Sequence, residues 1–155
     1  MRVAVAAGPP VDAPRVRRAI RAALAPYGVP RDAGVALVFV GDDEMRALNR
    51  RHRGIDRTTD VLSFGQRLPP GAKGAAAAAA LQRESDGTCE LGDIVISLAQ
   101  ARRQARRAHR GLDAEVAFLA AHGALHLLGF DDATAAGYRE MVRLGRAALG
   151  AARPA

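Results

Sequence analysis

The chain has 155 residues, 49% of them hydrophobic, but 35 are alanine, so the larger apolar side chains suffice for one lean core. A single cysteine, Cys89, excludes an internal disulfide framework and any multi-cysteine zinc site, and no apolar run approaches the ~18–20 residues that cross a bilayer. The formal charge of +7 rests almost wholly on arginine, because Lys73 is the only lysine. Two readings follow, a polyanionic partner or the codon habit of a GC-rich genome, and composition alone does not separate them.

In chain order, Val3-Ala-Val-Ala reads as a short strand. Gly8-Pro9-Pro10 arrives too soon for a secretory apolar region, so a soluble, cytoplasmic chain is expected. Asp12 predicts a capped helix over 13–26, with Val16, Ile20, Ala23, Leu24 and Tyr27 at helical spacing, ended by Gly28 and Pro30. Val35 to Val40 reads as a buried strand, and Asp42 or Asp43 as the cap of a helix that carries Met45 and Leu48 inward and ends near Arg51. Val61 to Phe64 and Ile94 to Ile96 are further strands. Between them, residues 71–89 form a low-complexity insert containing six consecutive alanines, read as a surface loop or a short alanine helix. Helices are expected over 98–109, 113–128 and 134–149, then a frayed, disordered tail over 151–155. Residues 1–150 read as a single α+β domain, a small mixed sheet packed with helices.

The informative segment is His122-Gly-Ala-Leu-His126-Leu-Leu-Gly129-Phe-Asp131-Asp132. Histidines four apart on a helix project from one face, one turn apart, and supply two of the nitrogen ligands that zinc takes. Gly129 permits a left-handed helix stop, and the turn beyond it can bring Asp132 back as a third ligand. A bare H-x-x-x-H on an alanine-rich helix is usually coincidence; the glycine and the oxygen ligand at these offsets set this one apart. Where a zinc protease carries its general-base Glu, this chain has Gly123, which argues against peptide hydrolysis. A helical glycine costs about 1 kcal/mol against alanine, so Gly123 implies close packing or ligand approach.

Arginines cluster twice. Arg50, Arg51, Arg53 and Arg57 fall at a helix–loop–strand junction, where phosphate contacts are readily placed. Arg102, Arg103, Arg106, Arg107 and Arg110 lie on one side of a helix in a stretch free of acids, which taken alone is a solvated face. Asp113 and Glu115 suit the N-terminal dipole of the histidine-bearing helix, and Glu115 shares the face of His122.

Together these segments resemble the YbeY family of bacterial metal-dependent endoribonucleases, which act in ribosomal RNA maturation. The family signature H-G-x-L-H-L-x-G-[YF]-D-H is met by H-G-A-L-H-L-L-G-F-D-D at every specified position except the last. Leu48 to Phe64 matches the family's L-N-x-x-x-R-G-x-D-x-x-T-D-V-L-S-F block, and Glu90 to Ser97 is similar to its Gly-Asp-Ile strand. The resemblance spans residues 35–145 and implies an α+β fold, one Zn2+ per chain and RNA as substrate. By motif position it implies His122 and His126 as ligands and Arg53 as the functional arginine. The family's third ligand is histidine; Asp132 stands there instead, and its negative charge lowers the Lewis acidity of a bound metal.

The expected activity is metal-assisted phosphodiester cleavage, with zinc on His122, His126 and Asp132 and with Arg53 on the phosphate. Arg50, Arg51, Arg57, Arg102 and Arg106 are expected to follow the RNA backbone, with selectivity supplied by a ribosomal particle or an assembly-protein partner. Water itself, a 2′-hydroxyl route and Asp131 are the candidate proton acceptors. The competing reading is a non-catalytic RNA- or ribosome-binding assembly factor whose metal is structural.

Overall fold

The computed structural model describes residues 1–7 and 9–152. Residues 153–155 of the expected tail lie outside the described residues. Its elements are β1 (Arg2–Val5), α1 (Ala13–Leu24) continued by a 3-10 turn (Ala25–Tyr27), β2 (Gly34–Val40), α2 (Asp42–Arg53), β3 (Val61–Gly65), α3 (Ala75–Ala79), β4 (Glu90–Ser97), α4 (Leu98–Arg107), α5 (Leu112–Leu127) and α6 (Ala135–Ala151). The sheet runs β1-β2-β4-β3, with β1, β2 and β4 parallel and β3 antiparallel at one edge. This is the small mixed sheet expected from alternating elements.

Strand side chains alternate between two apolar clusters, as a two-residue period demands. Ile94, Ile96 and Val61 face the main core with α1 and α5, while Val95 and Leu62 face the other way and meet Met45 of α2. α5 lies at the centre of the main core: Val116, Ala117, Ala120, Ala121, Ala124 and Leu125 are fully buried. Its near-continuous apolar sequence follows from being covered all round rather than along one stripe. No helix among the described residues is long and apolar enough to cross a membrane.

Local chemistry sets the boundaries. Asp12 caps α1 by accepting the Arg15 N–H at 3.0 Å, and Thr134 caps α6 through Gly137 N–H. α2 departs from expectation at both ends. Gly41, not Asp42 or Asp43, is its N-cap, and the helix continues past Arg51 to Arg53. Asp42 is drawn away by tertiary partners, accepting hydrogen bonds from Arg103, Ser97 and Thr58. Gly54, at φ +70°, then ends the helix and bonds back to the Arg50 and Asn49 carbonyls.

The alanine segment forms α3, and its Ala77 and Ala78 are buried in the main core. Gly74 N–H donates to the Leu128 carbonyl at 2.9 Å, which joins this segment to the end of α5.

A candidate metal centre between two cavities

His122 and His126 sit one turn apart on α5, with ring centroids 4.8 Å apart. α5 then stops at Gly129, whose φ of +81° only glycine adopts freely. The turn is tight as well as left-handed, since a Cβ on Gly129 would stand 2.1 Å from the Ala72 carbonyl oxygen. Beyond it Phe130 anchors the chain against Tyr27 at 5.5 Å, and Asp132 returns toward the helix. Asp132 Oδ2 lies 3.2 Å from His122 Nε2 and 3.5 Å from His126 Nε2.

These distances test whether a metal fits. Bonds of about 2.0–2.1 Å at tetrahedral angles place neighbouring ligand atoms about 3.3–3.5 Å apart, which is the spacing of the carboxylate oxygen from each nitrogen. One ligand atom from each residue falls within a 4.8 Å cluster. The tautomer of His126 agrees. Its Nδ1 lies 2.9 Å from the Phe130 carbonyl, which can only accept, so the proton is on Nδ1 and the Nε2 lone pair faces the cluster. His122 Nδ1 is buried with no hydrogen-bond partner among the described residues, so His122 is oriented from its Nε2 side alone.

Protonation follows the same logic. Burial, then repulsion from His122, holds the His126 pKa below its ordinary value and keeps the ring neutral. Burial pushes the Asp132 carboxyl up, but the two histidines outweigh it and the net shift is downward. Neutral imidazole and ionised carboxylate are the forms that bind a cation.

The cluster stands between two cavities. One, of about 500 Å³, is lined by His52, Arg53, strand β3, His126, Asp131 and Asp132. The other, of about 350 Å³, includes His122, Asp132, Arg107, Arg110, Glu115 and Tyr138 in its lining. Arg53 reaches the first cavity because α2 persists to that residue. The following loop is fixed to α2 by the Asn49 Nδ2 to Arg57 carbonyl bond at 2.8 Å and by the two-pronged Arg46–Asp56 pair at 2.9 and 3.2 Å.

The other arginines divide. Arg50, Arg51 and Arg57 are exposed near Arg53 but do not line its cavity, and Arg102 and Arg106 are exposed on α4 outside both cavities. The 102–110 stripe is not wholly a solvated face. Arg103 pairs with Asp42, 61 residues away, and Arg110 with the nearby Glu115, so acids outside the stripe interrupt it in space. Glu115 is correspondingly more than a dipole residue: it is 2% exposed and accepts from Arg110 at 2.7 Å and Gln104 at 3.1 Å.

Gly123 answers to packing. A Cβ there would meet Ile94 Cγ2 at 2.6 Å, and the Ser63 hydroxyl donates to its carbonyl at 2.8 Å. The glycine brings α5 against β3 and β4, which sets the His126 ring beside the first cavity. Sequence reasoning missed His52, whose ring meets Phe64 edge-on at 4.7 Å in that cavity. Its place beside Arg53 was the available signal. It also missed Tyr138, an aromatic set among arginines on α6.

Comparison with known proteins identifies the family. Residues 11–152 match the family model described as Endoribonuclease YbeY. A curated protein of that name from Desulforamulus reducens is 42% identical over 77% of this chain and 72% of its own length. Its counterparts from Moorella thermoacetica and Thermus thermophilus are each 44% identical, covering 81% and 76% of this chain and 77% and 75% of their own lengths. A solution structure of a Thermotoga maritima protein superposes with a TM-score of 0.60 over 97% of this chain and 88% of that one; at 20% identity it supports the fold.

Proposed function

The chain belongs to the YbeY family, and on that premise we propose a metal-dependent endoribonuclease of ribosomal RNA maturation, working in the cytoplasm on RNA within a ribosomal particle. Residues 1–150 act as one YbeY-like domain. The observation that carries the reading is that Arg53 lines the same cavity as His126 and Asp132. Negative charge builds on the phosphate oxygens in the transition state, and this cavity offers an arginine in the same lining as a candidate cation-binding cluster.

In this reading His122, His126 and Asp132 hold one Zn2+, a metal suited to a nitrogen–nitrogen–oxygen donor set. When bound, the metal supplies Lewis acidity toward a phosphate oxygen or a water. Arg53, exposed and without an ion-pair partner among the described residues, takes a non-bridging phosphate oxygen and offsets the charge that develops there. Asp131 lines the same cavity; one of its oxygens accepts the Ala133 N–H, and the other can receive a proton. Arg50, Arg51 and Arg57 add affinity along the backbone without reading bases.

Three protein ligands opening onto cavities support catalysis over a purely structural metal, because structural zinc sites are usually closed by four protein ligands. The test measures metal stoichiometry together with cleavage of single-stranded and ribosomal RNA. Wild type should bind one zinc and cut; His126→Ala should lose both. Arg53→Ala should keep the metal and lose about 10²–10³-fold in rate, the usual cost of removing one preorganised donor. Zinc bound without metal-dependent cleavage would leave the assembly-factor reading instead.

A further inference from the structure

The second cavity has no part in the chemistry above, yet it shares His122 and Asp132 with the metal cluster. On its lip stands Tyr138, 55% exposed; the other exposed large hydrophobic side chain among the described residues is Val38. Tyr138 also lines a shallow depression of about 460 Å³ with Arg139, Val142, Arg143 and Arg146. It therefore connects the metal cluster to the outer face of α6.

That face is strongly cationic. Arg139, Arg143 and Arg146 follow one another at helical intervals of four and three, over about 10 Å of helix. None has a carboxylate within ion-pair distance among the described residues, and Glu140 on the same helix is turned to Lys73 at 3.0 Å. The acids in the second cavity are also engaged. Glu115 is held by Arg110 and Gln104, and Asp60 accepts from the Val61 N–H at 2.7 Å. Arg107 there has no such partner among the described residues. An aromatic plane followed by free arginines, continuous with a phosphate-cleaving centre, fits alternating bases and phosphates.

We propose that Tyr138 and the α6 arginines form a binding subsite for single-stranded RNA on one side of the scissile phosphate. Tyr138 stacks one base, and Arg139, Arg143 and Arg146 carry the phosphates that follow. This rests on the endoribonuclease reading for its register, but the subsite is measurable without cleavage. It supplies a stacking platform in a chain with only six aromatic residues.

The experiment uses the full chain and a fluorescein-labelled, 2′-O-methylated single-stranded oligonucleotide that cannot be cut by a 2′-hydroxyl route, read by anisotropy. Tyr138→Ala should weaken binding about tenfold and Tyr138→Phe should restore most of it. The Arg139, Arg143 and Arg146 triple alanine variant should lower the slope of log K against log salt by about 2, at ~0.7 for each phosphate no longer neutralised. Val38→Ala should change nothing. Chemical denaturation curves on each variant confirm that the fold is kept. Wild-type binding unaffected by Tyr138→Ala, or no binding by the wild type, overturns the proposal. An effect of the arginines alone, with acidic polypeptides bound as well as RNA, also overturns it, since it leaves an indiscriminate anion surface. Binding with the expected losses but no cleavage of unmodified RNA refutes the proposed function while upholding the subsite.

Discussion

Replacing Gly123 by alanine sets two opposed effects against each other. Alanine in a helix interior gains about 1 kcal/mol over glycine. Against this, the new Cβ would stand 2.6 Å from Ile94 Cγ2 and 3.2 Å from Val61 Cγ2, where carbon atoms in good contact are about 3.5–4.0 Å apart. Ile94 is fully buried in the central strand β4 and is β-branched, so its methyl has no easy rotamer to escape into. Overpacking of this kind costs about 1–3 kcal/mol, and lifting α5 also stretches the 2.8 Å Ser63–Gly123 hydrogen bond. We expect a net loss of about 1–2 kcal/mol, which for a domain of this size lowers Tm by about 2–8 °C. Zinc affinity should fall as well, because the shift moves His122 and not the turn that holds Asp132. Differential scanning calorimetry without metal and a zinc competition titration read the two effects separately. Adding Ile94→Leu, which has no Cγ2, should recover part of the loss beyond additivity. A Gly123→Ala protein as stable as wild type would show that helix propensity outweighs packing and that α5 is free to move off the sheet.

Further consequences concern the turn, the metal and acid. Gly129→Ala combines a left-handed φ with a 2.1 Å approach to the Ala72 carbonyl, so it should cost about 3 kcal/mol or more, seen as a large drop in the urea midpoint. Free zinc at a hundred times its Kd should stabilise the wild type by about 2.7 kcal/mol, raising Tm by about 5–10 °C, and chelator should reverse this; His126→Ala should show neither. Asp132→Ala should weaken zinc binding more than tenfold and Asp132→His should preserve or tighten it; unchanged affinity in the alanine variant would remove Asp132 from the ligand set. The Arg103 guanidinium beside Asp42, with help from Ser97, holds its carboxyl at about 2. The pair therefore stabilises fully above pH ~4 and loses its contribution as pH falls toward 2, by about 1 kcal/mol once solvent screening of two partly exposed groups is allowed for. Asp42→Asn should flatten the acid limb of the stability–pH curve, and an unchanged limb would mean the pair contributes nothing.

Local features were legible where physics is local. The strand at 35–40, the Asp12 cap and the stop at Gly129 are written in β-branching, side-chain acceptors and backbone freedom, none of which needs a distant partner. The four-residue spacing of His122 and His126 likewise fixes their common face through helical geometry alone. Motif order carried the family and drew attention to Arg53, although helix α2 ends two residues later than its pattern suggested. What the sequence could not express were encounters between residues far apart in the chain. Asp42 looked like a cap until Arg103, 61 residues away, claimed it. Nearer in the chain, Glu115 looked like a dipole charge until the turn between α4 and α5 brought Arg110 and Gln104 onto it. Gly123 pointed to close packing or ligand approach, and only the fold decided for packing, with Ile94 of β4 in the space where its side chain would be. Composition gave the abundance of arginine without its meaning. Only the fold separates arginines bound to carboxylates from those left facing a cavity, because ion pairing depends on distance in space and not on position in the chain.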